Sequence, residues 1–348
     1  MNESMRGVLV RDFGDFRLEN LPVPEIGEND ILMKVVYSGI CGGDKAIYKN
    51  KAPWKLSFPF IPGHEFAGEI ADLGREVRKE GKYRVGDKIT AELIIPCGKC
   101  FYCKNGKYNL CNDPRFLGSS LNGGWAEYMR IPGAAHIYKL PETVSIRDAA
   151  TVEPLSCSLW AVERASLHFA DTIVVCGLGP IGMGAVMAAS LKSPRAIIAI
   201  DLDERLLPLA KEAGAGYAFN AKDSKLKSKI DEITEGVGPS VFIEASGSSD
   251  ALEIGLDLLR KGGRMVVYGV YGKGANINWS IISEYKELTI VGGHLSPGMF
   301  PICLDLIEKG KLKANKLVTQ ILSLDEFRLG LELKERSKEA VVKVLLSC

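Results

Sequence analysis

Residues 172–192 read TIVVCGLGPIGMGAVMAASLK, and residues 196–201 read AIIAID. The opening run is short and apolar, as a buried strand is, and the stretch after the glycines is an apolar helix. Between them stand Gly177, Gly179, Pro180, Ile181 and Gly182, and the second strand ends in Asp201, nineteen residues after Gly182. Strand, glycine turn, helix and strand closed by an acid make the dinucleotide fingerprint in its required context. The glycines permit a tight turn and a close approach to a pyrophosphate seated on the helix N-terminus. Asp201 can bind both ribose hydroxyls and would repel a 2′-phosphate, so NAD is favoured over NADP.

Working outward, the alternation continues on the C-terminal side. It predicts a helix over 204–213, a strand near 217–219 and a helix over 225–235. Strand VFIEA, helix 249–260, strand RMVVYGV and strand LTIVGG near 288–293 follow. That is a doubly wound α/β sheet. On the N-terminal side the period changes. Segments such as RGVLV, DFRLEN and ILMKVVYSG are short, rich in β-branched residues and bounded by Gly, Pro or Asp. EFAGEIADLGREV and KYRVGDKITAELIIP extend this β-rich pattern, so residues up to about 150 read as an all-β, barrel-like domain. SIRDAATVEPLSCSLWAVERAS, 145–166, has helical spacing with Ser145 as its N-cap. The tail ends in a strand, EAVVKVLLS, expected to return to the first domain.

Inside the β-rich region lies CGKCFYCKNGKYNLC, with Cys97, Cys100, Cys103 and Cys111. Four thiols at gaps of two, two and seven can close around one tetrahedral ion. Four filled thiolate positions describe a structural zinc site, which does no chemistry itself. Cys41-Gly42-Gly43-Asp44 and Pro62-Gly63-His64-Glu65 stand earlier; alone, Cys41 reads as a buried small residue and His64 as a core histidine as readily as ligands.

The chain has 348 residues, enough for two ordinary domains, with 46% hydrophobic and 25% charged residues. A net charge of +1 gives no field for a nucleic acid or a membrane surface. MNESMRGVLV lacks the apolar run of a signal peptide, and no stretch approaches the roughly 20 apolar residues of a spanning helix. Nine cysteines, clustered rather than spread, point to reduced thiols in a cytoplasm.

With these pieces in order, the chain resembles the zinc-dependent medium-chain dehydrogenases/reductases over essentially its whole length. The resemblance is carried by Cys41-Gly-Gly-Asp44, Gly63-His64-Glu65 with Gly68, the four-cysteine lobe, and GLGPIG with Asp201. Glu153-Pro154-Leu155-Ser156 sits where the polyol branch, with its sorbitol and threonine dehydrogenases, carries EPLS. PGHEF, NGGWAEYMR, VEPLSCSLWAVERA and NWSIISEYKELTIVGGHL are nearest the erythritol/threitol type. The resemblance implies a GroES-like catalytic domain of residues 1–154 and 293–348 clamping a Rossmann domain of residues 155–292. It also implies a dimer or tetramer paired through the sheet edge near 288–292, two zinc ions per chain, NAD(H), and a polyol or ketose substrate.

For the site, the resemblance implies a catalytic zinc held by Cys41, His64 and a carboxylate. Glu153 stands where alcohol dehydrogenases carry a second cysteine, and Glu65 is the alternative ligand. Asp44 is expected to hold the His64 ring through its other nitrogen; a loop N-cap is the other reading. Many relatives place Ser or Thr two residues after the zinc cysteine and His three further on, as a proton relay. Here those positions are Gly43 and Ala46. The proton is expected to leave through water held by Glu153 or Glu65, with Tyr48 or Lys45 near the exit. Ser246, Gly269, Val270 and His294 fall where such folds approach the nicotinamide half, though His294 can equally be structural. Arg205, at four rather than five residues after Asp201, reads as an adenine contact or a helix-surface charge.

Other readings compete, among them an inositol or sugar dehydrogenase of the same family and a non-enzymatic use of the fold. Threonine-type amino-alcohol oxidation shares the metal pattern. A zinc-ribbon nucleic-acid module needs a basic patch with stacking aromatics, and the near-neutral charge and complete dinucleotide fingerprint argue against it. A zinc-free quinone reductase would lack Cys41, His64 and the four cysteines.

Overall fold

The computed structural model describes residues 3–348. The chain forms two compact units. One comprises the described residues up to Glu153 together with Phe300–Gly310 and Val318–Cys348; the other comprises Pro154–Met299 and Lys311–Leu317. Among the described residues no helix is long and apolar enough to cross a membrane.

The first unit is built on a seven-stranded sheet. Its order is Val318–Ser323, Lys343–Ser347, Ile31–Gly39, Phe66–Leu73, Lys88–Ala91 and Ile137–Lys139, with Tyr128–Ile131 also paired to Ile31–Gly39. The tail strand runs antiparallel to Ile31–Gly39, Leu345 opposite Gly39 and Ser347 opposite Tyr37. The register carries Lys343 toward the end of that central strand, where Ile40 and Cys41 follow. Val10, Phe16, Phe60, Trp125, Phe327 and Leu346 close one apolar core, and Met33, Phe66, Ile70, Ile89 and Met129 another.

This unit is less purely β than its sequence pattern implies. Arg75–Glu80, expected to prolong a strand, is a helix that starts at Gly74 and stops at Gly81. Gly81 takes φ +69, a left-handed stop that ends the helix after six residues. Gly42–Tyr48 and Phe101–Lys104 are helical as well. Six, seven and four residues are too few for a hydrophobic period to declare itself.

The second unit is a six-stranded sheet, parallel throughout. Its order is Tyr217–Asn220, Ala196–Asp201, Thr172–Cys176, Val241–Glu244, Arg264–Val267 and Thr289–Gly292. Thr172–Cys176 and Val241–Glu244 are buried at every position, as strands covered on both faces must be. The strand order reverses beside Thr172–Cys176, and the glycine turn leaves that strand's C-terminal end. Ser145 caps its helix as expected, its Oγ accepting the Asp148 N–H at 3.0 Å. The helical stretch behind it divides into Ile146–Ala149 and Val152–Arg164. The expected helix over 204–213 begins as a 3-10 turn, Glu204–Leu206, before Leu207–Glu212.

Candidate active site

Cys41 ends the extended chain at φ −88° and ψ 159° and caps the helix Gly42–Tyr48. Its Sγ accepts the Gly43 N–H at 3.5 Å, while the Asp44 carboxylate accepts the Cys41 N–H at 2.9 Å. That reciprocal pair is a capping box, and it holds the cysteine in one orientation. Asp44 therefore acts as a cap here, and its charge reaches the His64 ring through space. Burial pushes the Asp44 carboxyl up, with His64 and the Cys41 N–H pulling the other way.

His64 arrives from a different direction, just before the strand Phe66–Leu73. Gly63 precedes it at φ +94, where a Cβ would lie 2.2 Å from Trp125 Cδ1. Only glycine passes beneath that ring. Trp125 is fully buried and is pinned by its Nε1–H donating to Gly39 O at 3.1 Å. Glu65 then turns inward at 1% exposure. The thiol of Cys41, the imidazole of His64 and the carboxylate of Glu65 each present a ligand atom within 4.8 Å of the others.

The charges around this cluster are lopsided. Burial works against the His64 imidazolium, yet Cys41, Asp44 and Glu153 overcome it and hold its pKa well above the ordinary value. Burial likewise opposes the Lys343 ammonium, and Glu65, Cys41 and Glu153 overcome that too. Lys343 lies 2.6 and 2.7 Å from the two oxygens of Glu65 and donates to Ile40 O at 3.0 Å. A thiol, an imidazole and carboxylates that draw in positive charge match the donors zinc takes. Glu153, in the first turn of Val152–Arg164, is buried and adds its charge, but the three-residue cluster does not include it.

The positions of the missing relay are plain. A Cβ on Gly43 would meet Trp54 at 3.7 Å, an ordinary contact, so space for a side chain is not what excludes one. Tyr48 donates its hydroxyl to Glu332 at 3.1 Å. Burial, with Lys343 and Lys334 nearby, pulls the Lys45 ammonium down to about 8.

The four cysteines of the lobe also converge within 4.8 Å. Cys100 Sγ lies 3.5 Å from Cys103 Sγ and 4.0 Å from Cys111 Sγ. Tetrahedral zinc with bonds of 2.3 Å sets sulfurs about 3.8 Å apart, so the lobe fits the ion. Backbone N–H groups of Lys99 and Cys100 lower the Cys97 thiol pKa, and those of Asn112 and Cys103 bring Cys100 to about 6. All nine cysteines are free of disulfides. Behind the lobe, buried Glu92 accepts from Tyr108 at 3.0 Å and from Tyr138 at 2.7 Å, with His136 Nδ1 at 3.5 Å.

In the second unit Gly177 takes φ +92, and a Cβ on Gly182 would lie 1.7 Å from Gly177 O. Gly179 caps the helix Pro180–Leu191, and nothing lies within 4 Å of where its Cβ would stand. A bare helix start facing open space is the cradle a pyrophosphate needs. Pro180 stands at the first position of the helix and Ile181 follows it. Asp201 accepts the Leu178 N–H at 2.5 Å and the Asp203 N–H at 2.8 Å. Arg205 is bound to the Asp203 carboxylate by two hydrogen bonds of 2.7 Å. Ser246 donates its N–H to Glu244 at 2.7 Å, and the N–H groups of Tyr268 and Gly269 donate to Glu244 O at 2.9 and 3.1 Å. Val270 and His294 are exposed, the latter two residues after the strand Thr289–Gly292.

Lys343, Glu244 and Asp203 escape a reading of motifs. Lys343 could have been flagged, because a lone lysine inside the apolar run VVKVLL has to find a buried partner.

Comparisons with known proteins agree with this geometry. The alcohol dehydrogenase GroES-like domain family matches residues 27–142, and the zinc-binding dehydrogenase family matches residues 180–309. The chain is 39% identical to the erythritol/L-threitol dehydrogenase of Mycolicibacterium smegmatis, over 97% of this chain and 96% of the relative. A short chain alcohol dehydrogenase of Escherichia coli CFT073, solved with NADH, superimposes with a TM-score of 0.91 at 28% identity, covering 100% of both chains. A zinc-binding dehydrogenase of Sinorhizobium meliloti 1021, bound to NADP, superimposes with a TM-score of 0.90 at 28% identity, again over 100% of both.

Proposed function

Because this chain belongs to the zinc-dependent medium-chain dehydrogenases/reductases, polyol branch, we propose that it oxidises a secondary alcohol of a polyol to a ketone, reversibly, with NAD(H). One observation supports the chemistry: Cys41, His64 and Glu65 each present a ligand atom within 4.8 Å of the others. The choice of polyols rests on the erythritol/L-threitol relative.

Cys41 and His64, with a glutamate, would hold the catalytic zinc, and Cys97, Cys100, Cys103 and Cys111 a second, structural one. When bound, zinc supplies a Lewis acid for the alcohol oxygen, and nicotinamide supplies the acceptor for the hydride leaving the carbinol carbon. Glu65 already answers to Lys343 through both oxygens, which holds it beside the cluster. Glu153 is the carboxylate we assign to accepting the hydroxyl proton by way of water, since Gly43 and Ala46 offer neither hydroxyl nor imidazole. Gly177, Gly179, Pro180, Ile181 and Gly182 bind the pyrophosphate, and Asp201 the adenosine ribose. Ser246, Gly269, Val270 and His294 border the nicotinamide half.

We further propose a homodimer or homotetramer. Thr289–Gly292 is an edge strand with Ile290 exposed, a surface that pairs readily with its own copy. Nine cysteines without a disulfide suit a reducing cytoplasm.

The deciding experiment is NAD⁺ reduction across four- to six-carbon polyols, inositols and threonine. Turnover confined to polyols supports the reading; turnover of threonine alone replaces it with amino-alcohol oxidation. If Glu153→Gln leaves the pH–rate profile unchanged, the proton route through Glu153 is wrong.

A further inference from the structure

The fold accepts either dinucleotide, since one close structural neighbour holds NADH and another NADP. In such sites an acid after the second strand takes the ribose hydroxyls, whereas an arginine nearby takes a 2′-phosphate. This chain carries both within five residues, Asp201 and Arg205. Which of them governs depends on what the arginine is doing.

Asp201 Oδ1 accepts the Asp203 N–H at 2.8 Å, so the chain turns back on the acid immediately after the strand. Asp203 repeats the device, accepting the Arg205 N–H at 3.2 Å. Its carboxylate then takes the same residue's guanidinium through Nε and Nη2, both at 2.7 Å. The guanidinium is thus kept two hydrogen-bonded links from the ribose acid, already paired in the fork geometry that a phosphate would use. The pair is sheltered, with Arg205 34% and Asp203 15% exposed. Asn220, opposite Asp201 in the neighbouring strand, ties Glu204 to the same corner at 2.9 Å, adding a third carboxylate there.

We propose that Asp203 determines the nucleotide preference of this dehydrogenase by holding Arg205 away from a 2′-phosphate. A 2′-phosphate entering this corner meets Asp201 and Glu204 and finds the nearby arginine bound. NAD meets the same Asp201, whose oxygens keep lone pairs for the ribose hydroxyls. The preference therefore has two parts, repulsion by Asp201 and withdrawal of a cation by Asp203. The inference rests on the dinucleotide reading of the site given above.

Direct binding tests it. Asp203→Ser keeps a hydroxyl that can cap the 3-10 turn but is too short to hold the guanidinium. Dissociation constants for NADH, NADPH, ADP-ribose and 2′-phospho-ADP-ribose are measured by fluorescence and calorimetry. The proteins are wild type, Asp203→Ser, Arg205→Gln and the double variant, each first checked by its melting curve. In Asp203→Ser the NADPH-to-NADH ratio of dissociation constants should fall about tenfold, the scale of one charge-assisted hydrogen bond. The double variant should return to within about twofold of wild type, because the gain runs through Arg205. An unchanged ratio in Asp203→Ser overturns the inference. So does a gain that survives Arg205→Gln, since lost repulsion alone would then explain it. If wild type binds neither NADH nor ADP-ribose, the dinucleotide reading itself falls and this inference falls with it.

Discussion

Lys343 and Glu65, 278 residues apart, form an ion pair sealed from solvent, with side chains 1% and 2% exposed and the ammonium 2.6 and 2.7 Å from the two carboxylate oxygens. The tail strand thus supplies the cation that pairs with the glutamate beside Cys41 and His64. A buried pair of this kind is weak evidence for net stability, but breaking one side of it leaves an uncompensated charge.

Lys343→Met should therefore destabilise the first unit by roughly 3–5 kcal/mol, read from denaturant unfolding. Lys343→Met paired with Glu65→Leu should recover much of that loss. If the single variant melts like wild type, the pair is not what keeps Glu65 in place.

Metal content separates the two zinc sites. Wild type should carry two zinc ions per chain by elemental analysis, and Cys41→Ser should lose one together with turnover. Cys97→Ser should lose the other and lower the melting temperature. Two zinc ions persisting in Cys97→Ser would contradict the assignment of the lobe.

The lobe's anchor should respond to pH. Its bond to Glu92 raises the His136 pKa against the opposing pull of burial. A pKa raised in the fold means that the contribution is complete below the ordinary histidine range and fades as pH climbs through the raised value. His136 is partly exposed, so the effect is modest in size. Melting temperatures of wild type and His136→Gln should converge as pH rises past that range and separate below it. Parallel curves at every pH would remove His136 from the anchor.

Glu244 ties together the two loops assigned to the nicotinamide half. It accepts Ser246 and Gly247 N–H at 2.7 and 3.0 Å, and also the hydroxyls of Ser246 and Tyr271. Burial and Glu244 hold the Tyr271 pKa far above the tyrosine range, so the phenol remains a donor. Tyr271→Phe orphans a buried acceptor and should weaken NADH binding about fivefold to tenfold. Its affinity for ADP-ribose, which lacks the nicotinamide, should move much less. Equal losses for both ligands would mean a general loosening of the unit.

Much of the candidate site was legible because its signals are short in sequence. The glycines of 177–182 are demanded by backbone geometry inside one turn, and the four cysteines of the lobe span fifteen residues. Gly63 is of the same kind, although the tryptophan ring that demands it lies 62 positions away. The short helices Gly42–Tyr48 and Arg75–Glu80 were not legible as helices, since seven and six residues bury too few side chains for a period to show.

By itself the sequence determined the two-domain α/β architecture, the glycine turn after the first strand of the parallel sheet, the candidate metal-ligating residue types and the membership in a zinc dehydrogenase lineage. Each depends on spacing along the chain or on a residue with one conformational use. Tertiary structure decided how the acids are spent: Glu65 on Lys343, Asp44 on the Cys41 N–H, Glu92 on two tyrosines, Asp203 on Arg205. A carboxylate pairs with whatever donor the fold brings within about 3 Å, and neighbours in space are set by strand order and register rather than by position in the chain.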